Sequence, residues 1–246
     1  MEKKRKFILI GIPVLAIIII LLMLSIFCIK HARNEEHEQV KIGIIDSYIP
    51  ANLLDNANIS NISFINETDF SNKHGENILN IITNQSKNAQ IYYSCVLDKN
   101  NSGTIENIAK SIEWCIEHKV NIICMSFATL DDNAVLRDAI LKAQNNHVII
   151  ISSCINYSDE LCYPAMYDGV ISVSEGANKN ATILTSNNIV KLNTRGNTNY
   201  LKGNSYTCAY ICGYISKEIE KGNDDLKKII KKLIKIQYTE PELVVS

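Results

Sequence analysis

The sequence has little glycine and proline, with 10 and 4 of these residues among 246, and it has no excess of charge of either sign. Its 25 lysines and arginines nearly balance 26 aspartates and glutamates, whereas a nucleic-acid-binding domain would be strongly basic. No internal repeat or low-complexity linker is present. The apolar fraction of 46% is typical of a globular chain. These features predict one large domain with a sizeable core and disfavour nucleic-acid partners.

Patterns that would hold a metal are also missing. Cysteine occurs at positions 28, 95, 115, 124, 154, 162, 208 and 212, without a CxxC pair. Most of these cysteines lie in apolar runs and are expected to be small buried side chains. Cys154 and Cys162, which bracket a short loop, are the pair to test for a disulfide. No dense carboxylate loop offers a calcium ligand set, so we assign no metal and expect no cofactor.

An uncharged, mostly apolar run covers residues 7–29 and exceeds the roughly 20 residues that span a bilayer. Four basic residues precede it, and acidic residues follow from Glu35. The positive-inside rule then predicts a cytoplasmic tail (1–6), a single transmembrane helix (7–29) and a juxtamembrane linker (30–39) in the cell membrane. Residues 40–246 would form an extracellular domain. A cleaved signal peptide is the rival interpretation of the same run.

Short β-branched runs alternate with helix-period segments after Gln39, which predicts βαβ units and a mainly parallel sheet. The predicted strands are Val40–Ile45, Gln90–Leu97, Val120–Ser126, Val148–Ser153 and Gly169–Ser174. Crossover helices are predicted behind Thr104 and behind Asp131 and Asp132. A last amphipathic helix, Asp224–Ile236, would cover the sheet, or alternatively lie on an anionic membrane.

Several polar residues fall where ligands bind in such a sheet, outside the carboxyl ends of its strands. Asp46 closes the first predicted strand, Ser126 closes the third, and Asn156 follows the fourth. His74 and Ser205 each precede a helix-like segment. A serine at a helix start has the positive end of the helix dipole behind it, which favours negative charge on its oxygen. A nucleophile, a base, an orienting group and an oxyanion donor therefore all have a candidate.

Seven segments resemble, in order, those of the subtilisin-like serine peptidases, the subtilases. They are Lys41–Ser47, His74–Ile82, Ser111–Ile116, Asn121–Phe127, Val148–Asn156, Tyr163–Val173 and Gly203–Gly213. The resemblance implies a three-layer α/β/α fold with a mainly parallel central sheet, after the transmembrane helix. It also implies serine endopeptidase activity on a peptide or protein outside the cell.

The resemblance further implies a role for each candidate residue. Asp46 would orient His74, His74 would be the general base and then the acid, and Ser205 would form the acyl-enzyme. Asn156 would bind the oxyanion together with the Ser205 N–H. The edge that pairs with the substrate backbone would consist of Ser126, Phe127 and Ala128.

The chain also departs from the family pattern. Asn77 replaces the second histidine of the histidine motif, Ile155 replaces the glycine before Asn156, and Ala209 replaces the proline of the serine motif. Ile155 would be strained if the backbone there had a positive φ. The alternative function is therefore a catalytically impaired, peptide-binding or scaffolding pseudoenzyme with the same fold. A third interpretation is an unrelated anchored α/β domain that senses a small ligand.

Overall fold

The computed structural model describes residues 19–26, 39–66, 71–155, 162–174, 185–186, 189–193 and 203–239. The chain divides into two compact units, Met1–Glu38 and Gln39–Ser246. In the first unit, residues 19–26 form a helix, α1, whose large apolar side chains are exposed. Among the described residues, no helix combines the length and apolarity that crossing a bilayer would require. Most of the predicted span over residues 7–29 lies outside the described part.

The second unit contains a central sheet and six helices in its described residues. The strands are β1 (Lys41–Ser47), β2 (Ile59–Ser63), β3 (Gln90–Leu97), β4 (Ile122–Met125), β5 (Ile149–Ser153), β6 (Ile171–Ser174), β7 (Thr185–Ser186) and β8 (Ile189–Asn193). The helices are α2 (Ala51–Leu54), α3 (His74–Gln85), α4 (Ile105–Glu117), α5 (Ala134–Asn145), α6 (Asn204–Glu220) and α7 (Leu226–Thr239).

The strands form one sheet in the order β2-β3-β1-β4-β5-β6-β8-β7, parallel except for the β7–β8 pair. Alternate side chains of each strand point to opposite faces, and both faces are buried. Ile42 and Ile44 pack in the cluster that contains buried residues of α3, α6 and α7. Ile123 and Met125 pack with buried residues of α4 and α5 on the other face. The predicted three-layer α/β/α architecture is therefore confirmed.

The N-cap of α4 is the predicted residue, whereas that of α5 is not. The Thr104 side chain accepts a hydrogen bond from the Asn107 N–H, at 3.2 Å, and caps α4 as predicted. Helix α5 is capped by Asn133, whose Oδ1 accepts from the N–H groups of Val135 and Leu136. The predicted start of this helix, at Asp131 and Asp132, therefore lies one or two residues before the actual cap.

The predicted strands agree with the structure within about two residues, and β3 has the predicted bounds. The prediction missed β2, β7 and β8. Cys154 and Cys162, the pair to test for a disulfide, are not disulfide-bonded in this structure. Helix α7 begins two residues later than predicted and covers the core by burying Ile229, Ile230 and Leu233.

Helices α3 and α6 are placed with their amino ends at the carboxyl edge of the sheet. The first turn of α3 contacts the end of β1, because the Gly75 N–H donates to Ser47 Oγ at 3.0 Å. The first turn of α6 contacts the end of β4 through Ser126. The predictions that His74 and Ser205 each lie at a helix start are confirmed, and both helix starts lie at one edge.

Candidate active site

Asp46 and His74 form a hydrogen-bonded pair at the carboxyl edge of the sheet. His74 Nδ1 lies 2.7 Å from Asp46 Oδ1. The Asp46 side chain is fully buried, and the His74 side chain is 16% exposed. With Nδ1 engaged by the carboxylate, Nε2 is the ring nitrogen left to exchange a proton with a neighbour.

Ser47 connects this pair to the scaffold. Its N–H donates to Asp46 Oδ1 at 2.7 Å, and its Oγ accepts from the Gly75 N–H at 3.0 Å. Its carbonyl oxygen accepts from the buried Tyr93 hydroxyl at 2.7 Å. Strand β1 is thus fixed to the first turn of α3, which determines how His74 meets Asp46.

Gly75 is required at this junction because it has no side chain. A Cβ added there would lie 2.1 Å from Tyr93 Oη and 2.8 Å from the Ser47 carbonyl oxygen. Gly75→Ala is therefore expected to push α3 away from β1 and to lower the free energy of unfolding by about 1–3 kcal/mol. Urea denaturation measures this loss. The control is Asn80→Ala on the exposed side of α3, and equal stability of the two variants would contradict this account.

Opposing effects act on the pKa of His74. Burial of the imidazole, the largest effect, lowers the pKa, whereas the charge of Asp46 and its hydrogen bond raise it. The pKa of His74 lies above its ordinary value of 6.5, so the effect of Asp46 prevails.

Ser205 is the second residue of α6 and is bonded reciprocally to Ser126. Its hydroxyl donates to the Ser126 carbonyl oxygen at 2.8 Å, and the Ser126 hydroxyl donates to the Ser205 carbonyl oxygen at 3.2 Å. In the described part of the chain, no hydrogen bond joins Ser205 to His74. Tyr206, the next residue of α6, packs against the imidazole, with the ring centroids of His74 and Tyr206 5.8 Å apart.

Asn204, the first residue of α6, joins this helix to the end of β5. Its side chain is buried, and its Nδ2 donates to the carbonyl oxygens of Cys154 and Ile155 at 2.9 and 3.0 Å. These carbonyls belong to the two residues that precede Asn156. Asn156 itself, the predicted oxyanion donor, lies outside the described residues.

The sequence profile described as the subtilase family, peptidase S8, matches residues 37–234. The chain belongs to this family. The match covers all the strands and helices of the second unit up to the middle of α7. Asp46, His74 and Ser205 occur in the order that subtilisin itself has, a known property of that enzyme.

Two relatives show how much of a subtilase is present. The minor extracellular protease Epr of Bacillus subtilis (strain 168) is 30% identical over 176 residues, which cover 65% of this chain and 27% of Epr. Subtilisin DY of Bacillus licheniformis is 27% identical over 173 residues, which cover 63% of this chain and 63% of that protein. The chain therefore spans less than two thirds of the length of each of these relatives.

Two solved structures share the fold. The prenylagaramide maturation protease PagA has a TM-score of 0.55 and 17% identity, covering 75% of this chain and 78% of PagA. The protease domain of PatA, solved as a mutant, has a TM-score of 0.54 and 14% identity, covering 75% of this chain and 82% of that chain. At these identities the likeness concerns the subtilase fold alone.

The predicted substrate edge, Ser126 to Ala128, leaves β4 at the carboxyl edge. Among the described residues, the backbone groups of Phe127 and Ala128 have no backbone hydrogen-bond partner. The next residue, Thr129, exchanges two backbone hydrogen bonds with Tyr163, at 2.9 and 2.8 Å. The edge is thus held at both ends, at Ser126 and at Thr129.

The structure shows how two of the departures from the family pattern, Ile155 and Ala209, are accommodated. Within the described part of the chain, the non-glycine residues with positive φ are Asn101, Lys119 and His147. The φ of Ile155 is therefore not positive, and its β-branched side chain does not strain the backbone there. Ala209 is fully buried inside α6.

Sequence reasoning identified the polar residues of the site but missed their supports. Ser47, Tyr93 and Asn204 had no predicted role, although each makes a buried or partly buried hydrogen bond beside Asp46, His74 or Ser205. Ser47 and Asn204 each gave a signal, as polar residues next to a candidate catalytic residue.

Proposed function

We propose that this chain is a membrane-tethered serine endopeptidase whose domain lies outside the cell membrane. The observation that carries the proposal is the 2.7 Å bond between buried Asp46 and His74, at the sheet edge where Ser205 lies in the first turn of α6. A nucleophile, a base and a group that orients the base are the parts that acyl transfer requires.

In the proposed reaction, the Ser205 hydroxyl turns from the Ser126 carbonyl oxygen toward His74. Its oxygen attacks the scissile carbonyl carbon, and its proton passes to His74 Nε2. Asp46 stabilises the charged imidazole, which then gives the proton to the leaving nitrogen as the C–N bond breaks. Water, deprotonated by His74, next cleaves the ester on Ser205 and restores the hydroxyl group.

The negative charge on the substrate oxygen needs donors. The Ser205 N–H lies in the first turn of α6, where backbone N–H groups have no partner within the helix. We assign the second donor to the Asn156 side chain. The substrate strand would pair with Phe127 and Ala128, and Ser205 would then face one of its carbonyl groups.

The rate is expected to depend on pH through His74. A general base must be neutral, so kcat/KM should fall as the pH decreases through the raised pKa of His74, with a midpoint above 6.5. Stability should change in the opposite direction. The contribution of charged His74 is fully present below about pH 6.5 and is lost as the pH rises through the raised pKa.

Rate profiles and NMR titration of His74 measure these two effects. In Asp46→Asn the NMR pKa of His74 should decrease, because the variant loses the attractive charge and retains the burial. A midpoint below 6.5 in the parent, or an unchanged pKa in Asp46→Asn, would contradict the assigned pairing.

One observation favours the second candidate, a peptide-binding pseudoenzyme. The Ser205 hydroxyl donates to the Ser126 carbonyl oxygen, and no bond connects it to His74 within the described residues. The two functions are separated by incubating the full chain in detergent with a peptide library and sequencing the products. Cleavage at internal bonds, absent in Ser205→Ala, supports the endopeptidase. Peptide binding without cleavage would support the pseudoenzyme.

The tether and its orientation are proposed from the apolar run over residues 7–29 and the basic residues before it. Extraction of cell membranes at high pH should leave the chain in the membrane fraction. A protease added outside intact cells should digest residues 40–246 and spare a fragment that contains residues 1–29. Release by high pH, or protection of the whole chain, would contradict the tether or its orientation.

A further inference from the structure

Six exposed lysines lie on α6, α7 and the turn between them. They are Lys217, Lys221, Lys227, Lys228, Lys231 and Lys232, and we call this surface the basic end. Helix α7 is held to the core by Ile229, Ile230 and Leu233, each at most 5% exposed. Its lysines therefore remain on the outer side.

The basic end lies at the edge of the sheet opposite Ser205. Helix α6 begins at the carboxyl edge and, with 17 residues, is about 25 Å long. Near its far end, Ser216 Oγ lies 2.6 Å from Ser86 Oγ, and Ser86 also bonds to Glu220. Ser86 precedes β3, so the last turn of α6 lies at the amino edge of the sheet.

The chain enters the second unit at this same edge. The Gln39 side chain bonds to the Asn88 carbonyl oxygen, in the turn that follows Ser86. The Gln90 N–H donates to the Val40 carbonyl oxygen at 2.8 Å, at the start of β1. The segment that precedes Gln39 thus joins the domain on the side of the basic end.

Part of the basic charge is neutralised within the basic end. Lys221 and Lys232 pair with buried Glu218, at 2.8 and 2.7 Å, and Lys228 pairs with Asp225 at 3.2 Å. Asp224 is exposed in the same turn, and Glu220 is partly buried.

Lys217, Lys227 and Lys231 have no acidic partner among the described residues. These three side chains supply the positive charge that an external anion would meet.

We propose that the basic end binds the phosphate groups of anionic phospholipids. The inference rests on the proposed tether, because a linker of about ten residues extends at most about 35 Å and keeps the domain near the bilayer. A lysine near an anionic bilayer strengthens binding about fivefold. Binding at this end would direct the edge that carries Ser205 away from the lipid, toward soluble or surface-exposed peptides.

The test is lysine reactivity in the full chain. The protein is reconstituted in nanodiscs of phosphatidylcholine alone or with phosphatidylglycerol, and its lysines are methylated reductively and measured by mass spectrometry. With phosphatidylglycerol, methylation of Lys217, Lys227 and Lys231 should slow at least about fivefold, and salt should remove the effect. Lys110, exposed on α4 in the opposite helix layer, should not change.

A paired variant provides the matched control. Lys227→Glu with Lys231→Glu should abolish the protection of Lys217, whereas Lys110→Glu should retain it. Equal rates in both lipids would overturn the proposal, as would protection by soluble glycerol phosphate in phosphatidylcholine nanodiscs, which would indicate a free-phosphate site. A chain that fails to copurify with nanodiscs would refute the tether and this inference together. Peptide cleavage is assayed separately, so loss of the peptidase function would be distinguishable.

Discussion

Ser205→Ala and His74→Ala are each expected to abolish detectable peptide cleavage. Removing the corresponding serine or histidine from subtilisin lowers kcat by on the order of 10⁶, and that known magnitude is the expectation here. The two residues act as one unit, so the double variant should be no slower than either single variant. The measurement is the initial rate on a peptide that the parent cleaves.

Matched controls separate chemistry from folding. Ser60→Ala, in edge strand β2, and His118→Ala, at the end of α4, change the same residue types far from the carboxyl edge. Both should retain the parent rate. Circular dichroism of the Ser205 and His74 variants should match that of the parent. Residual cleavage within about tenfold of the parent in either active-site variant would require another nucleophile or base.

Asn204→Ala should have the second largest effect. The variant leaves the carbonyl oxygens of Cys154 and Ile155 without their buried donor, which lowers the free energy of unfolding by about 1–3 kcal/mol. It also frees Cys154 and Ile155, which follow β5 and immediately precede Asn156. If Asn156 donates to the oxyanion, its displacement should lower kcat about 10²–10³-fold with little change in KM.

A graded variant distinguishes positioning from general destabilisation. Asn204→Thr keeps one hydroxyl donor, so its kcat should lie between that of the parent and that of Asn204→Ala. A purely structural role would lower the melting temperature without changing kcat for the folded fraction. If kcat and KM were unchanged in Asn204→Ala, Asn204 would have no part in oxyanion stabilisation.

The sequence was most informative where burial determines the pattern. Strands β1, β3, β4 and β5 are covered on both faces, and their largely apolar, β-branched and aromatic residues identified them. Strand β2, with the sequence Ile-Ser-Asn-Ile-Ser, is partly exposed and, within the described residues, pairs with β3 alone, so it lacked that signal. The cap of α5 was displaced because Asp131, Asp132 and Asn133 are all good capping residues, and only backbone geometry selects Asn133.

The candidate site was predictable as a set of residues and less so as an arrangement. Asp46, His74 and Ser205 followed from strand ends, helix starts and their order. The hydrogen bond between Ser47 and Gly75 and the one between Asn204 and Ile155 join residues that are distant in sequence. The local sequence around these residues does not indicate either bond. The rotamer of Ser205 also could not be predicted from the sequence, because local geometry determines whether its hydroxyl bonds to Ser126 or to His74.

Reaction of the full chain with a fluorophosphonate probe measures directly whether Ser205 is an activated nucleophile, because only an activated serine attacks such a phosphorus centre. We expect a single adduct on Ser205 in the intact protein, absent from Ser205→Ala and His74→Ala and retained in His118→Ala. An unmodified Ser205 in the folded parent, or an adduct that persists in His74→Ala, would contradict a nucleophile activated by the Asp46–His74 pair.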